Sequence, residues 1–432
     1  LLNDYNKTDY PVYVEGLAVM LMVTPTLRIN SQRLKTDFDD LAKIGATRQG
    51  GISRAALSNE DLTARAWFAE RIEESELALR DDEVGNLSGV LYSRNVNAKT
   101  LLIGSHLDTL HNAGKYDGSV GVLAGLECLR TLREAGVSLP FHVEVINFTD
   151  TEGWWQSLFG SMGVAGTLTE HHIKDTRQDN APFRAALHRA GIVPQDYYKA
   201  QREPSSLLGY LELHIEQSDR LEKAGVQIGA VTRIVGRTAY RVTFFGEAVH
   251  AATNYHKKRD ALQGAACFIT DIHSLPQAFE GGTVNCGNLE VSPAGVTIVP
   301  SQVDVTLELR HTDAPTLLKM QARMVELAMA CAECHHLRLE VEELLHRDVA
   351  LMAEEMLTVV ESVCAAQGLS CMRLESYVGH DAQNFAPLTP SALIFIPCKD
   401  GISMNPKEYT DWANVENGAN VLLGTILRLA GQ

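Results

Sequence analysis

Four short polar clusters stand at the ends of apolar runs: Gly104-Ser105-His106-Leu107-Asp108, Lys115-Tyr116-Asp117-Gly118, Thr149-Asp150-Thr151-Glu152-Gly153 and Glu212-Leu213-His214-Ile215-Glu216. Each offers an imidazole or a carboxylate, the ligands that zinc and manganese take. His106 and Asp108 fall on one side of an extended segment, because strand side chains repeat every second residue. The Asp108 carboxylate is therefore expected to accept one imidazole N–H of His106, fixing the tautomer that frees the other nitrogen for metal. Asp117, in a loop closed by Gly118, is placed to bridge two ions. Glu152 and His214 complete a ligand set of His106, Asp117, Glu152 and His214. Singly, each residue has a structural explanation, an Asp before Gly being an ordinary turn former. Together they point to a metal site built on a sheet.

Such a site needs strands to aim its ligands. Leu101-Leu102-Ile103 reads as a buried strand ending at the first cluster, and Phe141, Val143 and Val145 alternate as a strand ending at the third. Between them Val122, Leu126, Leu129 and Leu132 recur at helical spacing, with Gly136 as a stop. Strand, helix, strand with polar clusters at strand ends is an α/β signature. A helix is also expected over 59–72, with Asn59 as its cap. The domain proper starts near residue 29, which leaves 1–27 as an N-terminal extension. Beyond residue 235 the texture changes to a strand over 238–245, a helix over 259–274, strands over 287–291 and 303–309, and a long helix over 314–335. This β-α-β-β-α order describes an α+β domain over 235–347, inserted into an α/β domain formed by 28–234 and 348–432. The last segment adds the strand Leu393-Ile394-Phe395-Ile396 and a terminal helix over 415–429.

With 432 residues, 45% of them apolar and 21% charged, the chain has the composition of a globular protein with a sizeable core. A net charge of −16 without a Lys/Arg stripe argues against nucleic acid as a partner. The apolar run over 16–23 is too short to span a bilayer and lacks a basic flank, so a cytoplasmic protein without membrane contact is expected. Eight scattered cysteines fit reduced thiols better than a disulfide framework. Cys331-Ala332-Glu333-Cys334-His335 has the spacing of a haem-attachment string but continues the helical run before it. No Walker-type nucleotide loop is present.

The strings Ile44-Gly45-Ala46-Thr47, Ala56-Leu57-Ser58, Asp82-Glu83-Val84-Gly85-Asn86-Leu87, Gly104-Ser105-His106-Leu107-Asp108-Thr109, His214-Ile215-Glu216-Gln217, Gly379-His380-Asp381-Ala382-Gln383 and Glu408-Tyr409-Thr410 resemble the amidase/hydantoinase/carbamoylase family. That family includes N-carbamoyl-L-amino-acid hydrolases, allantoate amidohydrolases and β-ureidopropionases, within the dinuclear zinc peptidase superfamily. The resemblance implies a mostly parallel catalytic sheet flanked by helices, holding Zn2+ or Mn2+, and an inserted lid that also makes a homodimer. It implies metal ligation by His106, Asp117, Glu152 and His214, with Asp117 as the bridge. His250 would stabilise the transition-state oxyanion, often across the dimer, and Arg310 would grip a substrate carboxylate with its bidentate fork. Gln217 and His380 match substrate-pocket positions. The substrate is then a small carboxylate-bearing molecule whose linear amide, N-carbamoyl or ureido C–N bond is hydrolysed.

Four departures from that pattern stand out. Thr151 stands where the family has the general-base Glu, and a threonine hydroxyl cannot hold a proton reversibly near neutral pH. Met404 stands where the family has a metal-binding His, and a thioether is a poor ligand for zinc or manganese. Thr297 replaces a substrate-binding Asn, and Trp154-Trp155 are expected to narrow the pocket. Three readings follow. The first is a hydrolase with a rewired site, holding one ion where the family has two and using Glu152 as base. The second is a non-catalytic homologue, with or without metal, serving as a binding, regulatory or scaffold subunit. The third is an amide-forming or transfer enzyme on the same pocket.

Overall fold

The computed structural model describes residues 27–173, 181–254, 256 and 258–432. The N-terminal extension expected over 1–27 lies outside these residues except for its last position. The strands are β1 (Ala78–Asp81), β2 (Leu87–Leu91), β3 (Thr100–His106), β4 (His142–Phe148), β5 (Leu207–Ile215), β6 (Ile228–Ile234), β7 (Gly236–Phe245), β8 (Thr283–Ser292), β9 (Gln302–His311), β10 (Arg338–Arg347), β11 (Ala350–Leu351), β12 (Cys371–Ser376) and β13 (Ser391–Ile396). They form two sheets. The larger runs β1-β2-β4-β3-β5-β13-β6-β11, with β12 also paired to β6; the smaller runs β10-β7-β9-β8.

The centre of the larger sheet, β4-β3-β5-β13, is parallel. Helices Ser119–Glu134 and Trp412–Leu429 pack against it. Covered on both faces, β4 and β13 are buried at every residue, as central parallel strands are. The alternation read at Phe141, Val143 and Val145 therefore reports only one of two buried faces. Glu144 is tolerated on the other because Ser88 and Arg202 hydrogen-bond to its carboxylate. All four parallel strands point their carboxyl ends to one edge, where loops and functional groups gather in open α/β sheets.

Helix boundaries follow local capping chemistry. The helix expected from Asn59 does begin there, but its cap is Ser58, whose hydroxyl accepts from the Asp61 N–H at 3.2 Å. Asn30, Asp260 and Asp313 cap the helices Ser31–Leu41, Ala261–Ile272 and Ala314–Cys334 in the same way. Cys331 and Cys334 lie on the last of these, so that cysteine string is helix.

The smaller sheet is antiparallel throughout. Burial alternates strictly along β9, as expected when one face meets a core. That core joins Phe244, Val305, Phe268, Met320 and Met324 from the strands and from the helices Ala261–Ile272 and Ala314–Cys334. Here the expected β-α-β-β-α order was one strand short: β10 follows the long helix and pairs with β7. Among the described residues no helix is long and apolar enough to cross a membrane.

Candidate metal centre

His106 closes β3, Thr149 to Gly153 follow β4, His214 lies near the end of β5, and Ser403 and Met404 follow β13. The sheet thus gathers these clusters along the carboxyl edge of its parallel strands. Both imidazoles are oriented by backbone: His106 Nδ1 lies 2.9 Å from the Asp108 carbonyl and His214 Nδ1 lies 2.9 Å from the Ile215 carbonyl. Their Nε2 atoms converge on Asp117 Oδ1, at 3.5 Å from His106 and 3.1 Å from His214. Gly118 lets the chain pass this close. Its φ is +65°, and a Cβ there would lie 2.5 Å from the His106 ring.

Asp108 works differently from the expectation. Its Oδ1 is 3.7 Å from His106 Nδ1, while its two oxygens accept the backbone N–H groups of Thr151 at 3.3 Å and Glu152 at 3.1 Å. The imidazole is fixed by the carbonyl of residue 108, and the carboxylate fixes the loop that carries Glu152. Asp150, with φ +55°, spends its carboxylate on the N–H groups of Trp154, Trp155 and Gln156. It is thereby a loop anchor.

The two oxygens of Asp117 have unlike partners. Oδ1 faces the imidazoles, whereas Oδ2 accepts from Gln217 Nε2 at 2.8 Å and Ser403 Oγ at 3.0 Å. Met404, with φ +53°, is 41% exposed and anchors through its N–H to Glu408 Oε2 at 3.1 Å. Gln217 also has positive φ, at +56°, so strained backbone gathers around this carboxylate, as it does at functional sites.

The donors of His106, Asp117 and His214 all lie within 4.8 Å of one another, a group that could hold a metal ion. Glu152 is beside this group, with Oε1 3.9 Å from His106 Nε2. Burial opposes charge on His106, but its hydrogen bond to Asp117 and the charges of Asp108 and Glu152 outweigh it and hold the imidazole well above its usual range. Burial likewise opposes charge on Asp117, yet the hydrogen bonds of both histidines carry it far below the usual carboxylate range. The donor set therefore collects protons onto its imidazoles, and a divalent cation in the same place would displace them. The residues fit the metal that the family resemblance implies.

A cavity of about 140 Å³ opens over this group. Its lining includes Thr151, Glu152, Glu212, Gln217, Arg237, Arg310, His380 and Met404. The expected pocket residues Gln217, His380 and Arg310 are thus brought to the metal group. Burial, with the nearby His214 charge, pushes His380 well below the usual imidazole range, so it is neutral beside that ring. Its Nε2 lies 3.1 Å from Ser376 Oγ. Thr151 donates its hydroxyl to both oxygens of buried Asp381, at 3.1 and 2.9 Å.

His250 and Thr297 do not join this cavity. They lie together on the smaller sheet's loops, both exposed, linked by a bridge between His250 and Ile298 and by the Ala251 N–H to the Thr297 carbonyl at 2.9 Å. The tryptophans do not narrow the cavity either. Trp155 donates its indole N–H to the Ala56 carbonyl and stacks on Phe183, and Trp154 is 51% exposed over a separate groove. Four contributors were missed. Glu212 and Glu408 stood inside quoted strings, and burial with a neighbouring carboxylate pushes each up to about 7. Ser403 stood beside Met404 in the string Gly401-Ile402-Ser403-Met404, and Arg237 carried no sequence signal.

An N-carbamoyl-L-amino acid amidohydrolase of Geobacillus stearothermophilus is 33% identical over 407 residues, covering 93% of this chain and 99% of the relative. An allantoate amidohydrolase of Bacillus subtilis (strain 168) is 29% identical over 404 residues, covering 91% of this chain and 97% of the relative. Among solved structures, an amidase of the hydantoinase/carbamoylase family from Burkholderia vietnamiensis superposes with a TM-score of 0.82 at 29% identity, covering 94% of this chain and 99% of that one. The family model for peptidase family M20/M25/M40 matches residues 102–428, a span that takes in the gathered His106, Asp117 and His214, the whole smaller sheet and all of the larger one except β1, β2 and the start of β3. The chain belongs to that family.

Proposed function

We propose that the chain is a cytoplasmic amidohydrolase that holds one divalent cation on His106, Asp117 and His214 and opens linear amide, N-carbamoyl or ureido C–N bonds in small carboxylate-bearing molecules. The relatives named above are amidohydrolases of carbamoyl and allantoate substrates. The observation that carries the single-ion reading is the divided environment of Asp117: two imidazoles face one oxygen, and Gln217 and Ser403 occupy the other. Bound zinc or manganese would supply Lewis acidity to polarise the scissile carbonyl.

The chain's own groups supply the rest. Arg310 faces the cavity with its Nε on Glu308 and its Nη1 on the Tyr377 carbonyl, and its remaining N–H groups are suited to a substrate carboxylate. Glu152, loosened from ligand duty by the lack of an imidazole at Met404, takes a proton from water and returns it to the leaving nitrogen. Thr151 is unsuited to that task, and its hydroxyl is spent on Asp381. His250 and Thr297, exposed on the smaller sheet, would serve the site of a second copy in a homodimer made through that domain.

The test is metal content by plasma mass spectrometry together with turnover of N-carbamoyl amino acids, allantoate and ureido acids by the protein and its Glu152→Gln variant. One ion per chain and a turnover lost with Glu152 are expected; intact turnover in Glu152→Gln sinks the assignment. The Thr151 to Asp381 pairing favours a second reading, a homologue that binds such molecules without cleaving them. Ligand binding with no product from any of these substrates would establish it.

A further inference from the structure

Three arginines stand directly opposite one another across the smaller sheet: Arg347 on β10 pairs with Arg237 on β7, which pairs with Arg310 on β9. Directly opposed residues share a face, and like charges in that relation repel. Among the described residues, the one carboxylate within ion-pair reach of the three is Glu308, with Oε1 2.5 Å from Arg310 Nε and Oε2 3.8 Å from Arg237 Nη1. Three guanidinium charges thus meet one carboxylate.

The hydrogen bonding is equally short of partners. Arg237 Nε and Arg347 Nε are buried with no acceptor. Arg237 Nη2 reaches Ser157 Oγ only at 3.5 Å, and Arg347 Nη2 has the Met162 sulfur at 2.9 Å. Burial and the Arg310 charge lower the Arg237 pKa, and only Glu308 opposes them. Leaving buried donors and charge unpaired is costly unless something else meets them. Arg237 and Arg310 line the same cavity as His106, Asp117 and His214.

We infer that Arg237 is a specificity residue that takes a second anionic group of the substrate, beside the carboxylate held by Arg310, so that the preferred substrate is a diacid such as the N-carbamoyl derivative of an amino acid with an acidic side chain. One carboxylate on Arg310 cancels one excess charge, and the second meets Arg237. The inference rests on the amidohydrolase reading for the identity of the ligand, but the anion subsite stands on the arginines alone.

Calorimetric binding of N-carbamoyl-L-glutamate and N-carbamoyl-L-glutamine to the metal-loaded protein tests it, since the two differ by one charge at nearly equal size. The diacid should bind about 10- to 100-fold tighter, the effect of a charge-assisted hydrogen bond. That ratio should fall to about one in Arg237→Gln and be largely kept in Arg237→Lys, with thermal midpoints confirming that both fold. A ratio of one or less in the unmodified protein, or one unchanged in Arg237→Gln, overturns the inference. Ammonia release, followed in parallel, separates the two readings. Diacid preference with no release keeps the subsite and removes the hydrolase, whereas release without diacid preference does the reverse. Failure of both probes to bind overturns the subsite.

Discussion

One carboxylate shows two kinds of surroundings within a few ångströms. On its Oδ1 side, Asp117 meets two imidazoles whose Nδ1 atoms are pinned by backbone carbonyls. On its Oδ2 side it meets an amide and a hydroxyl, with a half-exposed methionine where the family pattern has a histidine. The first flank is preorganised for a cation. The second presents neutral hydrogen-bond donors, so the same carboxylate faces two imidazoles on one side and is a structural acceptor on the other. In the single-ion reading proposed above, the partners of Asp117 Oδ2 matter as much as Met404 does.

The largest effect should come from breaking the first flank. Asp117→Ala or His214→Ala should bring metal content close to zero and abolish turnover, as plasma mass spectrometry and product release would show; retained metal in both would refute the assigned trio. Next, Glu152→Gln should keep the metal while turnover falls about 10²–10⁴-fold. Sharpening the contrast from the other side, Met404→His should raise the metal content from one ion per chain to two. If the unmodified protein already binds two, the flanks are not different in kind.

A smaller effect is expected from pH. Glu212 and Glu408 are each raised from 4.5 to about 7, chiefly by burial. The folded state therefore retains protons that the unfolded chain gives up. Stability present below about pH 4.5 declines as pH rises through 7, and His106, also raised, acts in the same direction. Metal-free protein should melt at a lower temperature at pH 8 than at pH 5.5, and zinc should restore more at the higher pH, since bound metal replaces protons on the ligands. A melting temperature independent of pH would contradict this. The smallest change, Ser403→Ala, removes one donor to Asp117 Oδ2 and should cost less than about 3 kcal/mol in denaturant unfolding, with metal content unaltered.

The first flank was legible in the chain because each candidate ligand sits in a short local motif, two of them at strand ends and Asp117 in the loop before a helix. His106, Asp117 and His214 needed only the right sheet order to meet. What stayed hidden depends on partners far apart in sequence: Thr151 with Asp381, Asp117 with Ser403, and Arg237 with both Arg310 and Arg347. A strand such as β10, with charged residues on its exposed positions and only partial burial between them, gives a weak periodic signal. The two roles misread, Asp108 as imidazole partner and Trp154-Trp155 as pocket walls, failed for a shared reason. Spacing sets which side of a segment a residue takes, but the following loop decides what it touches, and here Asp150 ties down the backbone of Trp154, Trp155 and Gln156, which do not line the cavity.

The smaller sheet is also notable for how it is attached. The chain leaves the larger sheet at Ile234, and on its return Ala350 pairs with that same Ile234. Exit and re-entry are therefore the two sides of one rung of the ladder, about 5 Å apart. To the larger sheet, everything between is topologically a hairpin loop. Residues 236–347 could be exchanged for a short turn without altering the order or register of the strands that carry His106 and His214. Such an attachment would let the half that carries Arg237 and Arg310 be replaced while the half that gathers His106, Asp117 and His214 is inherited intact.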